Sequence, residues 1–155
     1  MRLTDILQPD CVKVPLEAQE KQQAIYELAD LLAAKTGITA VDELKRAVWQ
    51  RENTRTTGIG HGIGIPHGKC GGCDRLRMAV GIPREPIEFG AIDDKPVTLI
   101  ILLASPLDQT GPHIQALAKI SRMLTDEQLR GALKRATTAE ELYQQIVEYE
   151  THAAV

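Results

Sequence analysis

The run Val97-Thr98-Leu99-Ile100-Ile101-Leu102-Leu103-Ala104 constrains the fold more than any other stretch. It has the length of a strand, carries one polar residue, and shows no apolar–polar alternation. A strand without alternation is buried on both faces, so it belongs at the centre of a sheet covered on both sides. It is far too short to cross a bilayer. Pro106 ends it.

The flanking sequence supplies the cover. From Glu17 to Lys35, Ile25, Leu28, Ala29 and Leu32 fall at helical spacing, and Gly37 is placed to stop the helix. A second helix is expected from Thr39, capped by Thr39 with Asp42, to about Arg51–Asn53, burying Leu44, Ala47 and Val48. Three more are expected after Pro106. The first has Thr110 as N-cap, Pro112 in its first turn, and Ile114, Leu117, Ala118 and Ser121 on one face. The second starts at a Thr125–Gln128 capping box. The third starts at Thr138–Glu141 and turns Leu142, Ile146 and Tyr149 inward. Leu3–Leu7 is expected as a helical turn stopped before Pro9. Strands are expected at Cys11–Val14 and Leu76–Ile82, an edge segment at Glu85–Phe89, and a turn at Asp93–Pro96. Strand, two helices, strands, then helices predicts an α/β fold with a mixed sheet flanked by helices on both faces.

A chain of 155 residues fits one domain with a real core. The expected domain is 1–150, with 151–155 as a frayed tail. A net charge of −3 and the lack of a Lys/Arg run speak against a nucleic-acid partner. Met1–Asp5 is not followed by a signal peptide's apolar run, so a cytoplasmic protein with no membrane insertion is expected. Cys11, Cys70 and Cys73 are too few, and odd in number, for a disulfide framework.

The chemically unusual stretch is Gly58-Ile59-Gly60-His61-Gly62-Ile63-Gly64-Ile65-Pro66-His67-Gly68, with glycine at five of eleven positions. Gly58–Ile65 can hold a strand only if a backbone or ligand comes close. Pro66 stiffens the step into His67 and Gly68 frees the step out of it. The imidazole of His67 therefore stands on an open backbone with little bulk around it, which suits a histidine reached by another protein; from residue types alone, a turn that happens to contain histidine fits equally well.

Arg51-Glu52, five residues, then Gly58-Ile59-Gly60, Gly62-Ile63 and Ile65-Pro66-His67-Gly68 resembles the type-2 EIIA domains of the bacterial phosphotransferase system. These are the fructose/mannitol-type domains and their nitrogen-regulatory relatives. The similarity continues in Phe89-Gly90-Ala91-Ile92-Asp93-Asp94-Lys95-Pro96-Val97, in Leu102–Pro106, and in His113 before an apolar helix. The resemblance implies a three-layer α/β/α domain and a phosphocarrier that needs no cofactor. It implies that His67 accepts phosphate from a histidine phosphocarrier protein. The group then passes to an EIIB partner or serves as a signal to a regulatory target. It also implies that Arg51 stabilises phosphate charge and that His113 stands beside His67. With no EIIB segment attached, a standalone regulator is slightly favoured. Two features depart from the family pattern: Gly64, where alanine is common, and Lys69-Cys70-Gly71-Gly72-Cys73, for which the family offers no role.

The residue chemistry agrees with transfer. Histidine is largely neutral near pH 7, and phosphoryl transfer asks mainly for positioning and charge neutralisation. Amides of Gly58, Gly60 and Gly62 are candidate phosphate donors, Arg51 a candidate fork, and His113 a residue of a helix's first turn, where anions are favoured. Read from residue types alone, His113 is an ordinary surface histidine and Arg51 a partner of Glu52 or solvent. His61 lies an even number of residues from His67, which on a strand gives both the same face; as an isolated residue it is an exposed loop histidine. His61, His67, Cys70 and Cys73 have the ligand types of a zinc site. No metal is favoured, because metal on His67 would block phosphorylation; the plain alternative is a mobile glycine loop with two free thiols. The rival reading is a metal- or thiol-based sensor using His67, Cys70 and Cys73, and a third is a binding regulator whose phosphorylation only switches partners.

Overall fold

The structure is a computed structural model and describes residues 1–153. A 3-10 turn (Leu3–Asp5) leads into β1 (Leu7–Leu16), followed by helices α1 (Lys21–Thr36) and α2 (Val41–Thr54). Three short strands come next, β2 (Gly58–Gly60), β3 (Ile63–Gly64) and β4 (His67–Lys69), then β5 (Arg77–Pro83) and β6 (Leu99–Ser105). Helices α3 (Thr110–Met123), α4 (Glu127–Arg135) and α5 (Ala139–Ala153) complete the chain. No helix among the described residues is long and apolar enough to cross a membrane.

Every residue of β6 is buried, as the unbroken apolar run requires. It pairs antiparallel with β5 and parallel with both β3 and β4. β1 joins β5 in parallel at one edge and β2 joins β3 antiparallel at the other, giving a mixed sheet in the order β1-β5-β6-β3-β2. Helices α1 and α2 pack on each other, α1 over β1 and β5 and α2 over β4. Helix α3 packs on β6, α5 on β1, and α4 on α5, completing a three-layer α/β/α arrangement.

Several boundaries differ from the sequence expectation. β1 runs through both Pro9 and Pro15 instead of stopping at them. It is an edge strand, where one side needs no amide donors, and its register shifts near both prolines. Helix α1 begins at Lys21, because the amides of Glu17 and Ala18 donate to the Glu27 carboxylate. It ends at Gly37, whose φ of 76° suits glycine. Ala40, not Thr39, precedes α2, and no side chain caps that helix. Gln109, not Thr110, occupies the N-cap of α3, and Asp126, not Thr125, caps α4 by accepting from Leu129 N at 3.0 Å. At α5, Thr138 Oγ1 accepts from Glu141 N at 3.1 Å as expected, while the Glu141 carboxylate reaches Thr137 N. Helix α5 continues past Glu150, where the tail was expected to begin, to Ala153; positions 154 and 155 lie outside the described residues. The Glu150 carboxylate accepts from the amides of Leu3 and Thr4, tying this end to the N-terminal turn.

The largest correction concerns α3. Its buried face is His113, Ala116, Ile120 and Met123; of the expected stripe only Leu117 packs against the core, half-buried, while Ile114, Ala118 and Ser121 are exposed. Ile114 is 60% exposed. Apolar spacing alone favoured the expected stripe, but the bond of His113 to buried Ser105 satisfies the imidazole in the interior, and with His113 turned inward Ile114 is turned outward.

Candidate functional site

Strand β4 places His67 at the register of Leu103 in β6, and Pro66 O accepts from Leu103 N at 3.0 Å. Gly68 lets β4 lie directly on α2, since a Cβ there would meet Val48 at 2.9 Å. His67 itself is half-buried. Its Nδ1 lies 2.9 Å from its own chain's Ile65 carbonyl, which can only accept. Nδ1 therefore carries the proton and donates, and Nε2 keeps its lone pair. Burial lowers the pKa of His67 below the usual histidine value, and the Arg51 charge acts the same way; the Ile65 carbonyl and Glu52 pull against them. A neutral imidazole with a free Nε2 is a nucleophile at neutral pH.

His113 sits in the first turn of α3 and is 7% exposed. Its ring centroid lies 5.4 Å from that of His67, with the planes tilted by 58°. Its Nδ1 lies 2.6 Å from Ser105 Oγ, at the end of β6. Burial first, then the electrostatic influence of His67 and Lys69, pushes its pKa down to about 4. Lys69, two residues after His67 on β4, donates to Thr110 Oγ1 at the start of α3.

Arg51 lies in the last turn of α2 and lines a cleft with Arg55, Gly58, Ile59, Ile65, His67 and Leu117. Its Nη1 donates to Arg55 O at 3.1 Å, so it is tied to neither Glu52 nor any other carboxylate among the described residues. Glu52 is buried and turns inward. It accepts from Thr57 N and Oγ1 at 2.7 and 2.5 Å and pairs with Lys21 Nζ at 2.8 Å. Lys21 also donates to Phe89 O. This buried cluster fixes the path from α2 to β2, and so fixes where Arg51 stands relative to His67.

The three glycines proposed for phosphate separate. Gly58 lines the cleft with His67, but its amide donates to Thr56 Oγ1 at 3.1 Å and its backbone is pressed against Ala91. Gly60 and Gly62, with φ of 96° and 77°, form the tip of the β2–β3 hairpin and do not line the cleft. His61 lies at the same tip with φ 58°; its amide donates to Asp93 Oδ2 and its carbonyl accepts from Lys134. The chain reverses there, so the even spacing from His67 does not put the two side chains on one strand face.

The sensor reading fails on the same geometry. Among the described residues no group of three or more His, Cys, Asp or Glu side chains is placed to hold a metal ion. Cys70 and Cys73 are buried in the core, not carried on a mobile loop. Cys73 Sγ donates to Arg75 O at 2.9 Å. Burial raises the pKa of both thiols, that of Cys73 to about 11, so neither is a reactive thiolate at neutral pH.

Ser105, Lys69 and the Ile65 carbonyl were not singled out from sequence as site groups. The available signal was Ser105, a polar residue closing an otherwise apolar central strand.

The family model described as "Phosphoenolpyruvate-dependent sugar phosphotransferase system, EIIA 2" matches residues 5–149. The chain is 38% identical over 153 residues to a nitrogen regulatory protein of Escherichia coli (strain K12), covering 97% of this chain and 92% of that protein. It superposes on the crystal structure of nitrogen regulatory protein IIA-Ntr from Neisseria meningitidis with a TM-score of 0.84 and 30% identity, covering 93% of this chain and 98% of that one. It shares the fold of the E. coli complex of enzyme IIAMTL and phosphorylated enzyme IIBMTL, with a TM-score of 0.76, 22% identity, and coverage of 92% and 99%. With the mixed sheet and the paired histidines, these matches establish that the chain belongs to the EIIA type-2 family of the phosphoenolpyruvate-dependent sugar phosphotransferase system.

Proposed function

We propose that this chain is a cytoplasmic phosphocarrier that takes a phosphoryl group onto His67 Nε2 from a phosphorylated histidine phosphocarrier protein. The observation that carries the reading is the Nδ1–H to Ile65 O hydrogen bond, which leaves Nε2 as the free nucleophile. In the transfer, the N–P bond of the donor breaks as the Nε2–P bond of His67 forms, and the donor imidazole leaves with the electron pair. No proton has to move at His67. The protein's work is positioning and charge neutralisation. Arg51, free of carboxylates, meets phosphoryl oxygens from the cleft side. His113 meets them from the α3 side, and Gly58 borders them.

The same reading explains the outward stripe of α3. Leu117 and Ser121 line the cleft together with Ile59 and Ile92, which are 40% and 68% exposed. Ile59, Ile92 and Leu117 give an apolar rim to the cleft of His67 suited to a small protein partner. A protein of this fold is known in complex with phosphorylated IIBMTL, so onward transfer to an EIIB partner is one use of the phosphate. Near full-length similarity to nitrogen regulatory proteins favours its use as a regulatory signal.

Incubation with phosphoenolpyruvate, Enzyme I and histidine phosphocarrier protein tests the reading. Acid-labile, base-stable phosphate should appear on His67, and folded His67→Ala should take none. Undiminished label in His67→Ala would overturn it.

A further inference from the structure

The buried polar side chains of the described core include Glu52, Thr57, Ser105 and His113. Glu52 and Thr57 satisfy each other. Ser105 is wholly buried, and among the described residues its hydroxyl meets one polar group, His113 Nδ1 at 2.6 Å. His113 is neutral at pH 7, so one ring nitrogen carries the proton.

Two arrangements satisfy the distance. If Nδ1–H donates to Ser105 Oγ, the serine proton is left in the core without an acceptor, and Nε2 of His113, whose ring lies 5.4 Å from that of His67, keeps a lone pair. If Ser105 Oγ–H donates to Nδ1, both buried groups are satisfied and Nε2 carries the proton. Buried donors are rarely left unpaired, so the second arrangement holds.

We infer that Ser105 is a positioning residue that fixes His113 as its Nε2–H tautomer, so that His113 offers a hydrogen-bond donor, not a lone pair, to the phosphoryl oxygens carried on His67. The inference rests on the role proposed above for His113. The two histidines then have opposite tautomers, each set by one neighbouring oxygen. Ile65 O holds the proton of His67 on Nδ1 and frees Nε2 to attack. Ser105 Oγ holds the proton of His113 on Nε2 and makes it a donor. Phosphate needs both: an atom to bond to phosphorus and an N–H for the oxygens around it.

Long-range proton–nitrogen NMR of the nitrogen-15-labelled protein at neutral pH tests this directly. His113 should show a protonated Nε2 and an acceptor-type Nδ1, and Ser105→Ala should mix the two tautomers. Transfer from the phosphorylated carrier to His67 should slow about tenfold in Ser105→Ala, the typical loss of an orienting partner, and less than in His113→Ala. A protonated Nδ1 in the native protein overturns the inference, as does an unchanged tautomer in folded Ser105→Ala. If Ser105→Ala does not fold, the native spectrum alone decides. Unimpaired transfer by folded His113→Ala removes the role of His113 itself, a different failure that leaves phosphorylation of His67 standing.

Discussion

His67 and His113 lie side by side, yet their surroundings differ in kind. His67 stands half-exposed on a three-residue strand, held by a backbone carbonyl two residues away. His113 is buried on a helix and held by a side chain eight residues away. Local backbone fixes the first; tertiary packing of α3 on β6 fixes the second. The proposed nucleophile is therefore built into a short sequence motif, whereas its proposed helper takes its place only when the fold is complete.

The largest expected effect after loss of His67 follows from that difference. His113→Ala should still accept label on His67, because the nucleophile and its Nδ1 anchor are untouched. The rate of taking up and passing on the group should fall about a hundredfold, the scale of one preorganised donor lost to a developing anion. Complete absence of label in a folded His113→Ala protein would reverse the two roles.

Arg51 is the next sharpening. It borders a solvent-open cleft, so its charge is partly screened and its loss should cost less than that of His113. Arg51→Ala should slow labelling about tenfold, and Arg51→Lys should restore part of it, since lysine keeps the charge but not the fork. Rates equal to the native protein in both would place the phosphoryl group away from this cleft.

The two histidines also predict a pH signature. Both have folded-state pKa values below the ordinary 6.5, that of His113 at about 4. Between those values the unfolded chain binds more protons than the native one, so stability rises with pH and is lost as pH falls from about 6.5 towards 4. Denaturant midpoints should drop through this window, and His113→Ala should flatten the drop. The labelling rate should be level around pH 7 and decline only in acid, when Nε2 of His67 is protonated. A midpoint that does not change between pH 7 and pH 4.5 in the native protein would break the account.

The central strand was legible because an unbroken apolar run has one physical solution, burial on both faces. Helices α1 and α5 were legible by periodicity, and the Ile-Pro-His-Gly context is what singled out His67, the proposed phosphate acceptor. Three features were not. β1 passes two prolines because it is at an edge, and edge position is a property of the sheet, not of the segment. Helix α3 is rotated by a buried histidine–serine pair, which a scale of apolarity counts as two polar residues. The glycines around His61 looked like a phosphate cradle, but Gly60 and Gly62 are consumed by a hairpin tip held by Asp93 and Lys134.

The smallest expected effect separates the site from the cysteine loop that follows it. Cys70 and Cys73 lie three and six residues after His67, close enough in sequence to invite a redox switch. The two thiols lie beside each other, but burial works against such a switch. Cys70 N donates to Ser105 O at 3.0 Å, continuing the pairing of β4 with β6, and Gly72 packs so tightly on Ala40 that a Cβ would approach to 2.6 Å. Both thiols are buried, and exchange needs an exposed thiolate. Mild oxidant with or without dithiothreitol should therefore leave the initial labelling rate of His67 unchanged, within about twofold. Cys73→Ser keeps a donor for Arg75 O and should label at the native rate. What the substitution should lower is stability, by about 1 kcal/mol, as a hydroxyl replaces a thiol in the core. A labelling rate that falls with oxidant in the native protein and not in Cys70→Ser/Cys73→Ser would show that this loop opens, and that the wall between it and His67 is less firm than its packing implies.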